Sequence, residues 1–389
     1  MNNSRKIRNI LVLPSLLLLC LNQAPAQTSF TKNRAEIIQL MCAVNDQWQA
    51  THSYETSPFW HHAAYHTGNM EAYKLTKNEK YKQYSENWAK FNNWKGATSD
   101  DTTSWKYTYG ETPAHVLFGD WQICFQTYED LYQLDTNKDP IKIARARAVI
   151  EYQMRTAENR YWWWADGLYM VMPVMSKLYT ITGNVHYLEK LKDYFTYADG
   201  LMFDSEQSLY YRDAKYVYPL QPTINGLKNF WARGDGWVFA GLAKVLNDLP
   251  AKDTLVRPFF TKRFQSMAKA LKKAQQAEGY WTRSILDPAH APGYETSGTA
   301  FFCYGFFWGI NHGLLNKSEY LPTAVKSWNY LQNIAVQPDF SVGYVQPIGE
   351  NASPNILVKA NSTANFGVGA FLLAAAETSR YLAKHPQKK

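Results

Sequence analysis

Four carboxylates and one guanidinium stand at comparable stations in this chain, each beside a glycine that opens an apolar run. They are Asp120 after Gly119, Asp166 before Gly167, Asp235 between Gly234 and Gly236 with Arg233 close by, and Glu295 shortly before Gly298. Rings travel with them, at Trp121, Trp162, Trp163, Trp164, Trp231, Trp237 and Tyr294. Indoles stack on sugar faces while carboxyl groups move protons, so this combination suits carbohydrate chemistry. Each acid also has a structural alternative, because an aspartate just before a helix is a favoured N-cap and complements the helix dipole. Four acids at equivalent stations favour one functional pair among them. His61, His62 and His66, beside Trp60 and Tyr65, lack HExxH spacing and a fourth ligand nearby, so no metal is expected. Ser297 has no nucleophile-elbow pattern, and the turn Arg233-Gly234-Asp235-Gly236 lacks the spacing of a phosphate loop, so no cofactor is expected either.

The elements that must position these groups read as helices. Leu168, Val171, Met172, Met175, Leu178 and Tyr179 fall on one helical face, and so do Leu242, Val245, Leu246 and Leu249. Gly68, Gly119, Gly167, Gly236, Gly298 and Gly369 mark the more apolar helices, at intervals of 51, 48, 69, 62 and 71 residues. Each interval holds two ordinary helices with their loops. The pattern predicts an all-α, single-domain (α/α)6 barrel, with an open superhelical solenoid as the alternative. In a closed ring the N-terminal ends of the inner helices meet at one mouth, which would gather the acids although they lie far apart in sequence.

Composition narrows the partners. The chain has 389 residues, 46% hydrophobic and 15% aromatic with only 19% charged, which excludes a disordered chain. Residues 1–26 combine Arg5, Lys6 and Arg8, an apolar run from Ile10 to Leu21, and Ala24-Pro25-Ala26, the physics of a cleavable secretory signal. The catalytic domain is then expected over residues 27–389, secreted or periplasmic, with lipidation at Cys20 disfavoured by Leu19 before it. Losing the signal lowers the formal charge of +8 by three. The remaining basic residues are scattered, so no nucleic acid is expected, and no later apolar run is long enough to span a membrane. Cys42, Cys124 and Cys303 have neither disulfide nor zinc spacing. A monomer or weak oligomer is expected.

Several segments resemble the unsaturated glycuronyl hydrolases of glycoside hydrolase families 88 and 105. They are Trp164-Ala165-Asp166-Gly167-Leu168-Tyr169-Met170, Tyr179-Thr180-Ile181-Thr182-Gly183, Trp231-Ala232-Arg233-Gly234-Asp235-Gly236-Trp237, Glu295-Thr296-Ser297-Gly298-Thr299-Ala300 and Gly367-Val368-Gly369-Ala370-Phe371-Leu372-Leu373. The Trp-x-Arg-Gly-x-Gly-Trp element leans towards family 105, the unsaturated rhamnogalacturonyl hydrolase type. The resemblance implies an (α/α)6 barrel that removes a 4,5-unsaturated uronic acid from lyase-generated oligosaccharides by hydrating its C4=C5 bond. It implies Asp166 as general acid/base, protonated for the first step, and Asp120 as the second carboxylate, whose charge would help keep it so. Arg233 would meet the substrate carboxylate, with Trp231 and Trp237 on the sugar ring, and Trp164, Trp60, His61, Tyr211 and Glu295 completing the binding surface. The chain departs from that pattern in having Trp121 after a single Asp, and no histidine around Tyr210-Tyr211-Arg212-Asp213. Another (α/α)6 enzyme, such as an inverting glycosidase or a sugar epimerase, and a non-catalytic carbohydrate-binding protein are the competing readings.

Overall fold

A computed structural model describes residues 29–386; the expected signal and Cys20 lie outside them. The elements, in chain order, are α1 (Arg34–Thr51), α2 (Trp60–Thr76), α3 (Glu79–Phe91), α4 (Cys124–Leu134), α5 (Ile141–Arg155), α6 (Ala165–Thr182), α7 (His186–Met202), a two-residue hairpin β1 (Phe203–Asp204) and β2 (Leu209–Tyr210), α8 (Ala232–Asp248), α9 (Arg257–Ala274), α10 (Thr296–Asn311), α11 (Lys317–Tyr330) and α12 (Asn365–Lys384). The even-numbered helices form an inner ring in which each packs on the next and α12 returns to α2. Among the odd-numbered helices, α3 to α11 each pack on the preceding inner helix and α1 packs on α12. This is the (α/α)6 barrel, and the closed ring decides against the open solenoid.

Sequence pattern explains the layering. Leu168, Val171, Met172, Met175 and Leu178 of α6 are all buried, as are nearly all residues of α8, α10 and α12. Inner helices surrounded on every side are apolar through their middles and carry charge towards their ends, whereas α3 and α9 bury one stripe and show the other face to water. Closure depends on two glycines. A Cβ on Gly68 would lie 2.2 Å from the Gly369 carbonyl oxygen, and one on Gly369 would lie 2.3 Å from the Ala64 oxygen, so α2 and α12 meet backbone to backbone.

The two ends of the barrel differ. Where the inner helices end, Glu71 and Lys74 of α2, Asp130 of α4, Lys177 of α6, Lys244 and Asp248 of α8, and Glu377 and Arg380 of α12 come together beside a cavity of about 260 Å³. Lys74 bridges Glu71 and Asp130 at 2.8 and 2.9 Å, Lys177 reaches Asp130 at 2.8 Å, and Arg380 reaches Glu71 at 2.6 Å. Cations here complement the negative ends of the converging helix dipoles. Among the described residues, Lys244 alone of these four cations has no carboxylate within 4 Å, and burial beside Lys177 pushes its amine down to about 8.

Candidate active site

The opposite end, where the inner helices begin, encloses a cavity of about 500 Å³. Asp166 enters it from the first turn of α6 and Asp120 from the tight turn Gly119–Trp121 that leads into α4. That turn lies close to α6 because Gly119 has no side chain; a Cβ there would sit 2.9 Å from Val171 and 3.1 Å from the Trp164 indole. Neither acid caps its helix in the way the structural alternative required: Oδ2 of Asp166 has no hydrogen-bond partner, and α6 carries no side-chain cap.

Backbone pairing fixes what stands beside Asp166. Ala165 N–H donates to the Arg212 carbonyl at 2.7 Å, and Trp164 forms an antiparallel bridge with Asp213, so the segment after β2 is zipped onto the start of α6. Arg212 therefore lies with its Nε 3.6 Å from Asp166 Oδ2, while its Nη1 donates to Asp213 Oδ2 at 2.6 Å. Glu350 sits 3.6 Å from the same Nη1 and takes Lys215 Nζ at 3.1 Å.

Electrostatics separate the two acids. Burial and the charge of Asp166 hold Asp120 well above the usual carboxylate range, and among the described residues no cation comes within ion-pair distance of it. Burial raises Asp166 too, against the pull of Arg212 and then Arg233. Both carboxyls are thus held above their ordinary value by burial, with the guanidinium beside Asp166 opposing the rise there.

The walls are aromatic. Phe118, Trp163 and Trp164 form a triangle of rings, with Trp164 stacked on Phe118 and tilted against Trp163, each centroid 4.8 Å away, and Phe59, Trp60, His61 and Tyr109 complete that side. Asn365, at the start of α12, lies 2.9 Å from His62 Nδ1 and 3.4 Å from His61 Nδ1, which ties both rings to the closing helix. His66 is turned away and pairs with Ser85 at 2.9 Å.

Of the residues expected to bind substrate, the structure brings Trp60, His61 and Trp164 to the cavity wall with Asp120 and Asp166. Five others are elsewhere. Arg233 is fully buried between the Trp231 and Phe366 rings, 4.5 and 4.6 Å from their centroids. Its guanidinium donates to the carbonyls of Gln346 and Pro347 at 2.6 and 2.9 Å, so it braces the loop whose next residues, Ile348 to Glu350, line the cavity. Trp231 belongs to the same brace, its Nε1 donating to Gln346 Oε1 at 2.8 Å. Trp237 lies one layer behind Trp60 and packs on Tyr169 and Phe301 at 4.8 and 4.4 Å. Tyr211 stacks on Phe230 at 4.7 Å and donates to Asp204. Glu295 is the N-cap of α10, accepting from the N–H groups of Ser297 and Gly298 at 3.0 and 2.7 Å. Asp235, the fourth acid, accepts from Tyr210 N–H at 2.8 Å and ties β2 to α8. Sequence reasoning passed over Arg212, Tyr109, Glu111, Lys215 and the 348–350 loop. Arg212, like the others, sits in irregular chain with no periodic signal.

A closed (α/α)6 barrel with two buried carboxylates on an indole-walled cavity defines a carbohydrate-active enzyme. The chain matches Glycosyl Hydrolase Family 88 over residues 26–382, and it belongs to that family. A curated relative from Formosa agariphila, an unsaturated 3S-rhamnoglycuronyl hydrolase, is 30% identical over 85% of this chain and 87% of its own. A solved family 88 glycosyl hydrolase from Bacteroides vulgatus is 57% identical, with a TM-score of 0.88 over 90% of this chain and 100% of the other. A second solved structure, described as a polysaccharide lyase, is 59% identical with a TM-score of 0.88, covering 91% of this chain and 99% of its own.

Proposed function

We propose that the protein is a glycosidase that removes a 4,5-unsaturated uronic acid from the non-reducing end of oligosaccharides left by polysaccharide lyases. The observation that carries this reading is the carboxylate pair, Asp120 and Asp166, on one indole-walled cavity in a family 88 chain. The unsaturated rhamnoglycuronyl hydrolase relative points to the same substrate class.

The chemistry is a hydration. A carboxylic acid gives its proton to C4 of the enol ether, C5 takes up positive charge, and the resulting carboxylate removes a proton from the water that attacks C5. The product hemiketal opens and the attached sugar leaves as an alcohol, so one water is consumed and the acid is regenerated. Asp166 is assigned as that acid/base and Asp120 as its proton-sharing partner. The two acids, both raised by burial, titrate as a unit.

The lyase neighbour supports a second reading in which the same cavity runs an elimination. A base would take the C5 proton of a saturated uronide and the 4-linked sugar would leave as an alcohol, creating the C4=C5 bond instead of consuming it. One assay separates the two, because the conjugated double bond absorbs ultraviolet light. Absorbance falls with an unsaturated disaccharide if the protein hydrates, and Asp166→Asn lowers that rate by about 10³-fold or more. A rise of absorbance on saturated uronides, with no loss on unsaturated ones, replaces the first reading by the second.

The basic and apolar leader of residues 1–26 suits export, which matches a role downstream of extracellular lyases. N-terminal sequencing of protein from the periplasm of an expressing bacterium should find Gln27 first, and an intact Met1 in cytosol would remove this part of the proposal.

A further inference from the structure

Arg233 is fully buried between two rings and does not line the cavity; its Nη groups go to backbone carbonyls and its unpartnered Nε is sealed off, so a uronate in the cavity needs another cation. The wall offers two, Arg212 and Lys215. Lys215 is more than half exposed and engaged by Glu350 at 3.1 Å. Arg212 is only 15% exposed, its Nη1 is held by Asp213 at 2.6 Å, and among the described residues its Nε makes no hydrogen bond.

We propose that Arg212 is the residue that recognises the substrate's carboxylate and makes the cavity specific for an acidic sugar. Asp213 immobilises one side of the guanidinium, which leaves the Nε edge to receive two carboxylate oxygens in a fork. The Trp163 ring, 5.8 Å from the guanidinium carbon, limits its swing. The backbone zip between Ala165 and Arg212 sets this edge 3.6 Å from Asp166, so a bound carboxylate falls beside the acid/base. The substrate then competes with Asp166 for the same cation. Binding an acidic sugar weakens the hold of Arg212 on Asp166 and so favours its proton-carrying form, an effect a neutral sugar does not exert.

The assignment rests on the uronide reading but not on the direction of turnover, so it is tested by binding alone. In an Asp166→Asn background, calorimetry compares an unsaturated uronic acid disaccharide with its methyl ester, for Arg212 intact, Arg212→Lys, Arg212→Gln and Lys215→Gln. The acid should bind roughly 10- to 100-fold more tightly than the ester when Arg212 is intact. Arg212→Gln should abolish that preference without weakening the ester, Arg212→Lys should keep part of it, and Lys215→Gln should leave most of it. Circular dichroism melts establish that each variant is folded. Acid and ester losing affinity equally in Arg212→Gln, or the preference vanishing in Lys215→Gln instead, overturns the assignment. No acid binding to any form, Arg212 intact included, overturns the uronide reading itself.

Discussion

Asp120 and Asp166 both feel the Arg212 guanidinium, but only Asp166 has it within 4 Å, and the raised carboxyl of Asp120 has a consequence beyond catalysis. A carboxyl group held above its ordinary value binds its proton more tightly in the folded than in the unfolded state. Its contribution to stability is therefore complete below about pH 4 and is lost as pH rises through the folded value. Asp120→Asn removes this loss. The variant should melt close to the wild type in acid and a few degrees above it near neutral pH, a gap that widens with pH and is read by thermal denaturation between pH 4 and 8. A gap that narrows over that range would mean Asp120 is stabilised as the anion. The residue types at both acids were legible in the sequence, as was their gathering at one mouth. The cation beside Asp166 was not, because Arg212 is placed by a strand bridge from a segment with no helical period.

At the scale of elements, the contrast between Glu295 and Arg233 explains which expectations carried over. Glu295 sits where local rules put an N-cap, and the structural alternative is the one the chain adopts. Arg233 occupies the first turn of α8, and what it faces is decided by a loop 113 residues further on, which no local pattern announces. The helices were readable because their apolar stripes repeat within a few residues. The 346–350 wall was not, since its shape comes from Arg233, Trp231 and Gln346 holding one another. Arg233→Met should cost about 3 kcal/mol, the loss of a buried charged donor to several carbonyls, and should loosen the wall. Chemical denaturation measures the first effect. A rise in KM larger than the fall in kcat, on the unsaturated disaccharide, measures the second.

The whole molecule divides its charged groups between its ends, with the reacting acids at one and a largely self-paired girdle at the other. Lys244 is the exception in that girdle. Its folded value of about 8, against 10.5 ordinarily, means that stability is complete only above pH 10.5 and declines as pH falls through 8. Lys244→Met should raise stability at neutral pH by up to about 3 kcal/mol, with the advantage shrinking in alkali, as urea titrations at pH 7 and pH 10 would register. Destabilisation at pH 7 would instead mean that the amine's contact with the Tyr169 ring, 5.7 Å from its centroid, outweighs the cost of burying it.

The backbone contact between Gly68 and Gly369, together with the Asn365 link to His61, joins residues about 300 positions apart. On a ribosome or a translocon, the first hairpins emerge long before α12 exists. Until then α2 presents to solvent the apolar flank that α12 will cover, and His61 lacks its tether. Loop-closure entropy makes this joining the late event of folding, so the catalytic mouth comes into being last and all at once. A nascent chain held short of Asn365 carries both acids and has no enzyme.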